Sequence, residues 1–221
     1  MSDAEWTALS GFQRDLLVAA CALNARDERL AGQDIKEVVE KRLDAEINHG
    51  RLYPNLDTLI EAGLVKRSEI DRRTNAYTPT DDGRRAVRDR AETLSSLSDY
   101  ARVDVDPLEE TRAGVRWGKL HGFQRDCLVA IGFLSLSESE FIGLRIKARL
   151  QEQRDEVIHH GRLYTNLDEL VDMGLVEKGT VDQRSNSYQL TRDGRRLIEG
   201  RKVWLDEAGQ LRLIVDGGDL A

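Results

Sequence analysis

Apolar residues recur at helical spacing over 11–24, where Phe12, Leu16, Leu17, Ala20 and Leu23 form one stripe, so the pattern predicts a first helix with one buried face. A short polar segment, 25–29, follows. The stretch 32–43 carries Ile35, Val38, Val39 and Leu43 and predicts a second helix. After a connector at 44–48, Leu52, Leu56, Leu59 and Ile60 mark a third helix over 49–62. Asn48 or His49 is expected at its cap. Pro54 is expected near enough to the start to be tolerated, because first-turn amides have no intrahelical partner. Gly63 stands where helices commonly end.

Past Gly63 the apolar period changes from 3.6 to 2. Leu64-Val65-Lys66-Arg67 and Asn75-Ala76-Tyr77-Thr78 flank a polar turn at 71–75, which predicts a β-hairpin with a basic tip. Asp71 and Asn75 are expected to form that turn. Thr80 and Asp81 or Asp82 then open a further helix, continuing to about Tyr100, with Val87, Ala91, Leu94 and Leu97 or Ser98 on one face.

The whole pattern occurs twice, at an offset of 111 residues and without a gap from Trp6 to Arg90. His49-Gly50-Arg51-Leu52-Tyr53 returns as His160-Gly161-Arg162-Leu163-Tyr164, and Gly11-Phe12-Gln13-Arg14-Asp15 as Gly122-Phe123-Gln124-Arg125-Asp126. Asp82-Gly83-Arg84-Arg85 returns as Asp193-Gly194-Arg195-Arg196. The second last helix carries Leu197, Ile198, Trp204, Leu205 and Ala208. The expected division is one module over 1–101, a linker over 102–116 around Pro107, and a second module over 117–221 with a frayed glycine tail. Each has about 100 residues, enough to bury a core of its own.

Composition narrows the setting. No apolar run approaches the roughly 18 residues that span a bilayer, so no membrane partner is expected. The first residues carry Asp3 and Glu5 and do not read as a signal peptide. Cys21 and Cys127 occupy non-equivalent apolar positions and are expected as buried thiols in a cytoplasmic protein. The net charge is −7, and only seven of the 33 basic residues are lysine. Such an acidic, arginine-over-lysine surface suits a high-salt (halophilic) cytoplasm; an ordinary acidic composition from a GC-rich genome is the alternative. Neither excludes nucleic acid, because binding depends on charge at the contact face.

Three helices followed by a two-stranded hairpin make a winged helix-turn-helix. The expected fold class is mainly α (α+β): two tandem winged helix-turn-helix domains, each of three helices, a β-hairpin wing and a C-terminal helix. Two motifs make the chain resemble the PadR-like transcriptional regulators, especially the short haloarchaeal type. One is Gly50-Arg51-Leu52-Tyr53-Pro54-x-Leu56-x-x-Leu59-x-x-x-Gly63-Leu64-Val65. The other is Asp71-Arg72-Arg73-x-Asn75-x-Tyr77-x-x-Thr80-x-x-Gly83. The second copy departs at Thr165 and Gln183. The resemblance implies a homodimer of single modules, whereas this chain holds two.

The start of the third helix supplies candidate DNA contacts: His49, Arg51, Tyr53 and Asn55, mirrored by His160, Arg162, Tyr164 and Asn166. A helix fits the B-DNA major groove, where arginine can grip guanine and asparagine adenine. The histidines can equally serve as caps, and the tyrosines can equally pack beneath the helix. Arg72, Arg73 and Arg184 at the wing tips suit phosphate or a narrow minor groove. The pairs Arg84-Arg85 and Arg195-Arg196 oppose the helix dipole, so they pair either with an external anion or with the neighbouring aspartates. Trp6 and Trp117 are expected as structural anchors.

These features predict a transcription regulator, most simply a repressor, that binds double-stranded DNA and needs no cofactor or metal. Its two reading heads form an intrachain pseudo-dimer on an imperfect palindrome; association of two chains into a homodimer would give four heads. A winged-helix scaffold for protein partners is the alternative. An enzyme is disfavoured, because no metal cluster, phosphate loop or catalytic triad can be placed.

Overall fold

The computed structural model describes residues 3–24, 30–101, 107, 109–135, 142–182 and 185–216. The polar segment 25–29, residues 102–106 and 108 of the expected linker, the glycine tail, Gln183 and the wing-tip Arg184 lie outside them.

The first copy comprises α1 (Asp3–Ala8), α2 (Gly11–Asn24), α3 (Gly32–Leu43), α4 (His49–Glu61), β1 (Val65–Asp71), β2 (Thr74–Pro79) and α5 (Asp81–Ala101). A single 3-10 turn, Trp117–Lys119, replaces α1 in the second copy. There follow α6 (Gly122–Leu134), α7 (Gly143–Arg154), α8 (His160–Asp172), β3 (Val176–Asp182), β4 (Ser185–Leu190) and α9 (Arg192–Asp216). The helices start and stop where the apolar period predicts. The short helix α1 was not expected; Trp6 within it and Leu9 just after it are buried in the core.

Each hairpin is antiparallel. Val65 pairs with Pro79 and Arg67 with Tyr77; Val176 pairs with Leu190 and Lys178 with Tyr188. The register shifts between Glu69 and Asp71, and again between Thr180 and Asp182, so each outgoing strand carries a bulge next to its tip. The turn is shorter than expected. Asn75 pairs with Glu69 inside the ladder, and Asp71 alone makes the turn, accepting the Arg73 amide at 2.7 Å.

The chain folds as two compact units. One comprises Phe12–Glu92 and Val203–Ala221; the other comprises Ser2–Gly11 and Thr93–Lys202. The divide does not follow the repeat, because α5 starts in the first unit and ends in the second, while α9 does the reverse. In the first unit, Leu16, Leu17, Ile35, Val39, Leu52, Leu56 and Leu59 are fully buried, and Arg42 lies over the Trp204 ring at 5.1 Å. In the second, α1 packs on α7, and the Thr7 hydroxyl donates to the Gln153 carbonyl at 3.2 Å. A Cβ on Gly132 would stand 2.8 Å from Leu97, so glycine admits that leucine.

The first helix of each copy was expected to bury one face; both bury nearly all of their circumference. Arg14, Asp15, Gln124, Arg125 and Asp126 lie inside with the leucines. In α6 the charges are paired. Arg125 donates to the carbonyls of Leu120 at 3.0 Å, Gly11 at 2.9 Å and Gly118 at 3.2 Å, and Asp126 meets Arg154 at 2.7 Å. Buried charge is tolerated when its hydrogen bonds are made within the protein. An apolar stripe cannot reveal this, because it scores the charged positions as outward.

Both thiols are buried and free. Burial pushes the Cys21 thiol up to about 12 and raises that of Cys127 as well. No described helix is long and apolar enough to cross a membrane.

Candidate nucleic-acid interface

The connector that aims α4 begins with Asp44 in the left-handed region (φ 53°), and its counterpart before α8, Asp155, adopts φ 49°. Ile47 and Ile158 are fully buried and pin the two connectors. The Ile47 amide donates to Glu40 at 2.7 Å, and the Ile158 amide to Gln151 at 3.4 Å. The Ile47 amide, with Lys36, holds the Glu40 carboxyl below its usual range. Asn48 then caps α4, its side chain accepting the Arg51 amide at 2.8 Å. His159 takes the cap position of α8 without a side-chain bond, so neither His49 nor His160 serves as a cap.

Leu52, Leu56 and Leu59 bury one face of α4, as Leu163, Leu167 and Leu170 do in α8. His49, Gly50 and Arg51 are exposed at the start of α4, and His160, Gly161 and Arg162 at the start of α8. Pro54 is the sixth residue of α4, deeper than expected. It leaves the carbonyl of exposed Gly50 without an amide from within the helix.

Arg51 lies over the Phe12 ring at 4.1 Å, and Arg162 over Phe123 at the same distance. Each guanidinium thus keeps an exposed edge while one face rests on the first helix. Arg162 also meets Glu156 at 3.0 Å. Asn55 and Asn166 each donate one amide hydrogen to the helix carbonyl four residues back, at 2.8 Å. A second amide hydrogen and the carbonyl remain for another partner.

The tyrosines are wedges. Tyr53 lies 5.5 Å from His49 and 6.4 Å from Tyr77, and Tyr164 lies 5.9 Å from His160 and 6.5 Å from Tyr188. A Cβ on Gly32 would stand 3.1 Å from the Tyr53 ring, and one on Gly143 2.7 Å from the Tyr164 hydroxyl oxygen. Each tyrosine therefore joins its helix to the wing and to the start of the preceding helix.

A second tie links wing and helix. Arg67 meets Asp57 at 3.1 Å, and at the repeat-related positions Lys178 meets Asp168 at 2.8 Å. Sequence reading missed it, although opposite charge kept at both positions in both copies was visible. Arg72 and Arg73 are exposed at the tip of the first wing. The Arg73 and Thr74 groups hold the Asp71 carboxyl below its usual range.

The paired arginines that open α5 and α9 have partners close by. Arg84 meets Asp81 and donates to the Pro79 carbonyl, and Arg85 meets Asp82 at 3.0 Å. Arg195 donates to the Leu190 carbonyl at 2.7 Å, and Arg196 lies 3.8 Å from Asp193. Neighbouring aspartates thus account for three of the four. Trp6 is buried, and Trp117, half-buried, lies 5.8 Å beneath Arg125. Among the described residues no group of three or more His, Cys, Asp or Glu side chains is placed to hold a metal ion.

The profile of the transcriptional regulator PadR-like family matches residues 23–89 and again residues 133–200. Several solved structures are similar over part of the chain. A complex structure of hsRosR-S1 is 42% identical, over 46% of this chain and 85% of that one, with a TM-score of 0.39. RosR of H. salinarum, in crystals grown from NaBr, is 37% identical over 46% of this chain and 97% of that one, with a TM-score of 0.36. A complex structure of hsRosR-SG is 44% identical over 40% and 76%, with a TM-score of 0.35. No curated protein matches the chain.

Proposed function

Because this chain belongs to the transcriptional regulator PadR-like family, whose profile fits both of its halves, we propose that it reads duplex DNA with both halves at once. The regulator is a DNA-binding protein and not an enzyme. Its simplest mode is repression by occupying a promoter. The modules at 1–101 and 117–221, joined through 102–116, act as a pseudo-dimer on an imperfect palindrome. A covalent pair makes the second binding step intramolecular and raises apparent affinity through effective concentration.

The observation that carries this reading is the recurrence of one exposed edge. Exposed Arg51 and His49 with half-buried Asn55, and exposed Arg162 and His160 with half-buried Asn166, stand at the start of a helix whose other face is fixed by three buried leucines. The N-terminal part of a recognition helix is where side chains reach base edges. Arg72 and Arg73, and Arg184 in the other copy, contact the backbone from the wings. Tyr53 and Tyr164 keep helix and wing at a fixed angle and offer a hydroxyl to phosphate. The heads differ at Asn48/His159, Pro54/Thr165, Thr58/Glu169 and Arg72/Gln183, so the half-sites differ too.

The test uses a duplex selected from a random pool on the wild-type chain. Arg51→Ala and Arg162→Ala should each weaken binding and relax preference at one position, by about 1–3 kcal/mol. Equal affinity for selected and scrambled duplexes would favour a protein-docking scaffold instead.

A further inference from the structure

The second copy contains an ionic chain that the first lacks. Buried Asp126 holds Arg154 at 2.7 Å, Arg154 also donates to Glu156, and Glu156 accepts from Arg162 at 3.0 Å. The repeat-related residues of the first copy are Asp15, Leu43, Ala45 and Arg51. The two connectors share a left-handed aspartate, a buried isoleucine and an isoleucine amide taken by the side chain seven residues back. The two arginines rest on their phenylalanines at the same 4.1 Å. What separates Arg162 from Arg51 is therefore a carboxylate already at its guanidinium.

Resting on the proposal that both arginines reach DNA, we propose that Glu156 is an intramolecular competitor for Arg162, making the second reading head the weaker one and the first head the anchor. DNA must displace Glu156 from Arg162 before that arginine can reach it. Arg154 keeps that carboxylate in place, since its other partner, Asp126, is buried. Arg154, with Arg162, also holds the Glu156 carboxyl below its usual range, so it stays charged at neutral pH. The same connector and the start of α7 have lost further polar groups. Val157 replaces Glu46 and is 75% exposed, and Leu144 replaces Gln33 and is 57% exposed. Two positions that are polar in the anchor head are thus exposed and apolar in the restrained head, which also carries the Glu156 carboxylate.

The experiment measures binding of the full chain to a fluorescent duplex selected from a random pool, at low and at raised salt. The variants are Glu156→Gln, Arg162→Ala, their combination, Arg51→Ala and Ala45→Glu. Glu156→Gln should tighten binding roughly two- to fivefold at low salt, the scale of an exposed ion pair, and less as salt rises. In the Arg162→Ala background it should change nothing. Ala45→Glu, which places a carboxylate where the first head has none, should weaken binding by a similar factor and carries the test even if the Glu156 variant folds poorly. No tightening by Glu156→Gln together with no weakening by Ala45→Glu overturns the inference, as does tightening that persists without Arg162. If the arginine variants weaken binding while both carboxylate variants are silent, only the inference fails. If the arginine variants are silent too, DNA reading by these heads fails with it.

Discussion

A Cβ on Gly83 would stand 2.1 Å from the carbonyl oxygen of Leu64, and the repeat reproduces the relation, at 2.3 Å, between Gly194 and Leu175. The Thr80 hydroxyl donates to the Gly63 carbonyl at 2.7 Å and accepts the Gly83 amide at 3.0 Å; Thr191 does the same with Gly174 and Gly194. Threonine and glycine three residues apart thus clamp the start of the last helix onto the root of the wing.

Gly83→Ala should therefore destabilise the protein by about 1–3 kcal/mol or more, because the nearest atom is backbone and cannot swing aside. The control is Gly161→Ala, which meets nothing within 4 Å on a helix. It should be neutral or stabilising by up to about 1 kcal/mol. Urea melts of both variants decide the matter, and equal midpoints would contradict it.

Removing one partner of a buried ion pair leaves an uncompensated charge. Asp126 is 1% exposed and its partner Arg154 11% by side chain. Asp126→Ala should cost about 3–5 kcal/mol. A loss below about 1 kcal/mol in denaturant unfolding would show that Arg154 finds water or Glu156 sufficient.

The thiols make an alkaline prediction. The Cys21 thiol rises from 9.0 to about 12 on burial, and that of Cys127 is raised by burial and by Asp126. A thiol that cannot ionise when folded adds stability that is full below the unfolded value. This stability is lost as pH climbs from about 9 towards the folded value, because only the unfolded chain releases the proton there. Unfolding midpoints should fall between pH 9 and 11, less so in Cys21→Ala/Cys127→Ala. At pH 8 neither native thiol should react with a disulfide reagent; rapid labelling without denaturant would contradict burial.

Much of this was legible in the sequence. Apolar spacing located α2, α3 and α4 almost to the residue, because leucines at helical intervals bury one side of α4 and part of α3. It misjudged α2 and α6, where Arg125 and Asp126 are buried by partners far along the chain, at Gly11 and Arg154. It missed α1, which is too short to show a period. It overextended the wing turn, because Asn75 is a turn former by composition but a ladder residue in the fold. Of the candidate DNA contacts at the start of the third helix, His49, Arg51, His160 and Arg162 were legible as exposed polar positions. Their internal partners, Phe12 for Arg51 and Glu156 for Arg162, were not, since proximity across segments leaves no periodic trace.

The central claim is that one chain presents two DNA-reading heads to one site. The most direct measurement is a footprint of the full chain on DNA upstream of its own gene, with the mass of the complex determined by light scattering. The account predicts a single chain protecting one two-lobed site, whose unlike halves are centred about one helical turn apart. A footprint of one lobe, protection requiring two chains, or no protection above that of unrelated DNA would contradict it.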